Sequence, residues 1–186
     1  LLKDSIQRVE VASTSGVLDH ASTLISNSIG CRSPRSIENV ANDIGFMSSS
    51  YYFLGEVANY VSLRTTNVSA KVDALFQAMN QSAIENISAI YYDTMDTLLI
   101  SVQVGSSCND HVITYQLPYK AWSYWDDISA NCFMDWTDDN GGRHLYYGSE
   151  ATIPAYTEGS SGYFNGASKV NIGNLSSNFS TNVGAI

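Results

Sequence analysis

Ile90-Tyr-Tyr92, Leu98-Leu-Ile-Ser-Val-Gln-Val104, His111-Val-Ile-Thr-Tyr115 and Ala121-Trp-Ser-Tyr-Trp125 follow one another along the second half of the chain, with Ala130-Asn-Cys-Phe-Met-Asp-Trp136 and His144-Leu-Tyr-Tyr147 behind them. Each segment is short and rich in β-branched and aromatic residues, and turns rich in Asp, Asn, Gly and Ser separate them: 93–97, 105–110, 117–120, 126–127 and 138–142. Strands of that length recurring so regularly read as antiparallel meanders, as in a sandwich or propeller.

Toward the N-terminus the signal is looser. Ile6, Val9 and Val11 alternate within a strand over residues 1–15, and a polar stretch then runs to a turn at Gly30 and Pro34. Ile37–Val40, Ile44–Met47 and Tyr51–Leu54 read as short strands, with Asn42-Asp43 as a turn. Residues 69–81 differ: Val72, Leu75, Phe76 and Met79 stand at i, i+3, i+4 and i+7, the stripe of an amphipathic helix. Asn67 and Ser69 offer N-caps and Asp73 suits the positive helix start, with a further turn at 83–87. Beyond Glu158 the tail is rich in Gly, Ser and Asn, with weak strand signals at 162–164 and 167–172. The chain is expected to be one mainly-β region over 1–186, an antiparallel meander with propeller-like blades and one short amphipathic helix near 69–81.

Composition supports that class. The 186 residues are 15% charged, against about 25% in an ordinary soluble domain, and 11% aromatic. Disorder is excluded by the aromatics and the low charge, and a helical bundle by the shortage of Ala, Glu, Lys and Leu. The net charge of −9 leaves few Lys and Arg to displace counterions from phosphate, so tight nucleic-acid binding and attachment to an anionic membrane are disfavoured. Nothing approaches 18 apolar residues in a row, and no signal peptide is visible. Because the sequence starts at Leu1 inside a strand and ends abruptly at Ile186, it is expected to be part of a longer chain.

The residues that carry chemistry are sparse. Cys31, Cys108 and Cys132 lack C-x-x-C spacing and read as buried thiols; His20, His111 and His144 show no zincin spacing and read as ordinary polar residues. No G-x-S-x-G elbow or phosphate loop occurs, and within the carboxylate cluster Asp135–Gly142 the segment Asp138–Gly142 reads as a hairpin turn rather than a calcium loop. The expectation is no catalytic, cofactor or metal site. Leu75, Phe76, Met79, Trp122, Trp125 and Trp136 are expected to be core.

Taken in order, Lys3-Asp-Ser-Ile-Gln-Arg-Val9, Ile29-Gly-Cys-Arg-Ser-Pro-Arg-Ser-Ile37, Asn42-Asp-Ile-Gly-Phe-Met-Ser48, Leu54-Gly-Glu-Val57, the helix, Ala89-Ile-Tyr-Tyr-Asp93, Leu99-Ile-Ser-Val102, Val112-Ile-Thr-Tyr115, Ala121-Trp-Ser-Tyr-Trp125 and Leu145-Tyr-Tyr-Gly-Ser149 resemble the β-propeller-like tail nozzle and head-to-tail stopper proteins of tailed bacteriophages. The resemblance covers Lys3 to Ile172, through diffuse motifs. It departs at Ser48-Ser-Ser-Tyr-Tyr52, where such proteins carry a Gly-hydrophobic-Tyr hairpin, and at Gly45, which interrupts a strand. At roughly 40–45 residues per blade, the chain supplies about four blades at most.

The resemblance implies a virion protein of the tail, assembled in the host cytoplasm. It would self-associate into a ring, meet portal-adaptor or other tail proteins, and let DNA pass without tight binding. The alternative from another class is a carbohydrate- or receptor-binding module, adhesin- or lectin-like, with Trp122 and Tyr147 as test positions. A hydrolase with an unrecognised site is the third reading.

Overall fold

A computed structural model describes residues 1–14, 17–56, 63–105, 108–125, 128–137, 139–148 and the strand 167–170. The chain groups into two compact units, Leu1–Gln77 and Ala78–Ile186.

The first unit opens with an antiparallel hairpin of β1 (Ile6–Thr14) and β2 (Val17–Ser26). The second of these strands falls in the polar stretch, where no strand was expected. Four strands follow, β3 (Ser33–Val40), β4 (Asp43–Met47), β5 (Tyr51–Glu56) and β6 (Leu63–Asn67), paired antiparallel in sequence order. The β3–β4 turn lies one residue earlier than expected: Val40 pairs with Asp43, and Ala41 takes the left-handed conformation at φ 55°.

Alternation along β4 and β5 sends side chains to two faces, and both are buried. Phe46 and Leu54 lie with Ile6 and Cys31, and Tyr52, Ile25 and Leu63 pack around them. Met47 and Tyr51 are fully buried on the other face. The Tyr51 hydroxyl donates to the Ser36 carbonyl at 2.9 Å, and its amide donates to Ser69 Oγ at 2.9 Å. Ser36 Oγ in turn accepts from the Met47 amide at 2.8 Å and donates to the Ser33 carbonyl at 2.7 Å. One phenol and two hydroxyls thereby tie β3, β4 and β5 to the chain after β6. Gly45 is what lets the ring lie there. A Cβ at Gly45 would fall 2.7 Å from the Tyr51 hydroxyl and 2.9 Å from its ring. The glycine that interrupts the strand pattern is therefore the seat of a buried tyrosine.

The helical region is shorter and more broken than one helix over 69–81. A 3₁₀ turn over Ala70–Val72 leads into α1 (Asp73–Ala78), and a second 3₁₀ segment covers Gln81–Asn86. Asn80 ends the α-helix. It is extended, its side chain accepts from the Ser82 amide at 3.1 Å, and its own amide donates to the Gln103 carbonyl. Val72, Phe76 and Met79 of the apolar stripe are buried, whereas Leu75 is only half-buried.

The second unit holds another four-stranded antiparallel sheet in sequence order, β7 (Ser88–Tyr92), β8 (Thr97–Val102), β9 (His111–Gln116) and β10 (Ala121–Trp125). All six residues of β8 are buried, so this central strand is covered on both faces. A three-stranded sheet of β11 (Cys132–Thr137), β12 (Arg143–Gly148) and β13 (Ala167–Val170) completes the unit. Tyr92, Leu99, Val112, Ala130 and Leu145 form the core joining the two sheets, with Trp125, Phe133 and Tyr147 against it. The weak strand signal at 162–164 lies outside the described residues, and that at 167–172 corresponds to β13.

Of the tryptophans expected in the core, Trp125 is half-buried against that cluster and Trp122 is half-buried with its ring 4.6 Å from Tyr115. Trp136 corrects the reading: it is exposed. Residues of β11 alternate about the strand, and Phe133 and Leu145 settle which face turns inward, leaving Trp136 on the other.

Phe76→Ala is expected to destabilise the protein by about 3–5 kcal/mol, read from urea unfolding. Tyr51→Phe should cost about 1–3 kcal/mol through the stranded Ser36 carbonyl. Gly45→Ala combined with Tyr51→Phe should cost less than the two single changes added, because the lost hydroxyl relieves the new Cβ. Additive costs would show that the two residues do not share the slot.

Candidate functional site

The histidines and cysteines singled out in the sequence are dispersed. His20 is exposed on β2, His111 opens β9, and His144 lies half-buried on β12. Cys31 is buried and donates to the Ser33 carbonyl at 3.0 Å; burial pushes its thiol pKa up, away from a reactive thiolate. Cys108 is half-buried, Cys132 is exposed, and all three remain thiols. Among the described residues no three His, Cys, Asp or Glu side chains are grouped as metal ligands would be.

Two polar clusters are better organised, and neither was read from the sequence. In the first, Asp110 accepts from the amides of Val104 at 2.8 Å and Gly105 at 3.0 Å, and its carboxylate lies 2.8 Å from His111 Nδ1. The His111 ring stacks on Tyr124 at 4.9 Å. Partial burial pushes the Asp110 pKa up, but the His111 ring beside it and the hydrogen bonds from the two amides outweigh it and bring it down to about 2. This carboxylate closes the loop that leads into β9.

In the second cluster Arg143 pairs with both Asp93 and Asp135 and lies over the Tyr92 ring, 5.9 Å from its centroid. The Tyr92 hydroxyl donates to the Arg143 carbonyl at 3.2 Å. Hydrogen bonding to Arg143 holds the Asp93 carboxyl below its ordinary pKa. Asp135 Oδ1 is buried with no hydrogen-bond partner, so the guanidinium on Oδ2 is what neutralises that carboxylate. The partners lie 50 and 8 residues from Arg143, and only the folded register brings them together. Their arrangement is that of a clasp between the β7–β8 connection and the β11–β12 hairpin, with no nucleophile in it.

The same hairpin presents an aromatic surface on its opposite side. Trp136 pairs with His144 and Met134 with Tyr146, so all four share the face away from the Phe133–Leu145 core. Trp136 is 56% and Met134 52% exposed, and the His144 and Tyr146 rings meet edge to face at 6.3 Å. Lys169 of β13 is the register partner of Tyr146 at the edge of this face, and the aromatic side chains on it suit stacking. Trp122 and Tyr147, the positions first considered for a ligand platform, are half-buried instead.

No family model and no curated protein matches this chain.

Asp110 has its pKa lowered by folding, so its contribution to stability is present above about pH 4 and is lost as the pH falls toward 2. The melting temperatures of the wild type and Asp110→Asn should therefore converge over that interval; a constant gap would remove Asp110 from the acid response. Trp136→Ala should change stability by no more than about 0.5 kcal/mol, whereas Leu145→Ala should cost about 2–5 kcal/mol in the same urea titration.

Proposed function

We propose that this chain is a structural protein of a tailed-phage virion, in the tail nozzle or head-to-tail connector, whose copies assemble into a ring that conducts or retains DNA. The observation that carries the reading is the pair of four-stranded antiparallel sheets, β3–β6 and β7–β10, each in simple sequence order. That is the form of a propeller blade, and the strands buried on both faces are what a blade between neighbours requires. The charge balance supports it: with 18 Asp and Glu against nine Lys and Arg, the protein would repel a passing duplex rather than grip it. On this reading it is not an enzyme, needs no cofactor, and works in the tail after assembly in the host cytoplasm with portal-adaptor or other tail proteins.

A carbohydrate- or receptor-binding role is the second reading, favoured by the face of Trp136, Met134, His144 and Tyr146. Light scattering on the purified chain, with duplex DNA titrated at 50 and 200 mM salt, separates the proposals. A ring component should give a multimer of defined mass and negligible DNA binding at both salts. Tight binding that falls about 10³–10⁵-fold between them would mean 6–10 phosphate contacts and a DNA-gripping protein. Glycan binding lost in Trp136→Ala would favour the second reading.

A further inference from the structure

We propose that Asn140 is a site of spontaneous covalent modification, where a cyclic imide formed with Gly141 opens to aspartate or isoaspartate, and that the isoaspartate form unsettles the end of the β11–β12 ladder that holds Arg143. The reaction needs the backbone nitrogen of the following residue to reach the asparagine side chain. A Cβ on that residue screens the nitrogen, and glycine alone has none. Among the described residues Asn140 is the one asparagine that glycine follows. Asn165-Gly166, the other such pair in the sequence, lies outside the described residues.

The turn leaves room for the chemistry. Asn140 and Gly141 lie between β11 and β12, beyond the last ladder pair, Thr137 with Arg143. Both are exposed. Gly141 has φ 80°, in the left-handed region, and a Cβ placed there would meet nothing within 4 Å. The five-membered ring can therefore close without moving a strand. The missing side chain that lets Asn-Gly turn a hairpin is also what uncovers the nitrogen.

The bonds balance without an oxidant. The Gly141 nitrogen bonds to Asn140 Cγ, the Cγ–Nδ2 bond breaks, and Nδ2 leaves as ammonia with the proton from the Gly141 amide. Water then opens the imide at either carbonyl. Opening at Cγ restores the ordinary backbone and leaves aspartate. Opening at the backbone carbonyl leaves isoaspartate, whose chain runs through the side-chain methylene and is one atom longer.

That extra atom falls next to the residue on which the hairpin's polar contacts depend. Arg143 opens β12. Its guanidinium pairs with Asp93 and Asp135, and its carbonyl accepts from the Tyr92 hydroxyl at 3.2 Å. The Thr137–Arg143 pairing sets Arg143 against β11, so a longer path through the turn disturbs this end of the ladder first. Ring assembly plays no part in this chemistry.

Ageing the folded full chain in mildly alkaline buffer, followed by tryptic mapping with mass spectrometry, tests the proposal. Cleavage after Lys120, Arg143 and Lys169 puts Asn140 and Asn165 on separate peptides. The Asn140 peptide should gain the mass of the acid and split into two products, one of them a substrate for isoaspartyl methyltransferase. Gly141→Ala should slow the conversion severalfold. Hydrogen exchange should then be severalfold faster in the isoaspartate form at the Thr137–Arg143 end of the hairpin and unchanged at the Cys132–Gly148 end. Asn140→Asp, which adds the charge without the extra atom, should exchange like the fresh wild type. An Asn140 that stays intact in the folded chain overturns the proposal, whether or not the urea-unfolded chain reacts. Conversion with unaltered exchange at the turn, or with the same acceleration in Asn140→Asp, overturns the effect on the ladder and leaves the modification site standing.

Discussion

The hydrogen bonds of the buried Tyr51, from its phenol to the Ser36 carbonyl and from its backbone amide to Ser69 Oγ, express the constraint that governs this protein. A sheet covered on both faces has no solvent side on which to place polar groups. Every hydroxyl that enters must find a partner inside, because an unpaired one costs about 1–3 kcal/mol. Small hydroxyl side chains meet that demand over short distances. Ser36 bridges β3 and β4, the Ser101 hydroxyl reaches the Ala130 carbonyl, and Thr114 and Ser123 share a bond across β9 and β10. The Ser- and Asn-rich, charge-poor composition follows from the architecture.

The same constraint explains which strands could be read. In β8, Thr97-Leu-Leu-Ile-Ser-Val102 is apolar on both faces, and its neighbours β7, β9 and β10 carry aromatic and β-branched residues between clear turns. Those elements, the mainly-β class and the buried Val72, Phe76 and Met79 of the helical stripe were legible. β2 was not, because a ribbon exposed on both faces needs no apolar alternation, and Val17–Ser26 shows none. β6, Leu63-Arg-Thr-Thr-Asn67, is a polar edge strand that signals just as weakly. The end of α1 was misread because Asn80 competes for the backbone through its own side chain, an effect that apolar spacing does not register.

The surfaces were less legible than the core. Trp136 looks like a core residue by type, and only the partnership of Phe133 and Leu145 with the cluster around Tyr92 decides that β11 turns it outward. Arg143 lies 50 residues from Asp93 and across a hairpin from Asp135, so their clasp exists only once the hairpin has its register. Both observations point the same way: the well-partnered polar groups hold the strands together, while Trp136 and Met134 are left exposed on the face away from the core. That is the division of labour expected of an assembling scaffold.

Electron cryomicroscopy of the full chain at high protein concentration tests that account most directly. It predicts closed rings of uniform subunit number, with carboxylates concentrated on the lumen. Particles that remain single subunits, or rings whose lumen is lined by Lys and Arg, would contradict it.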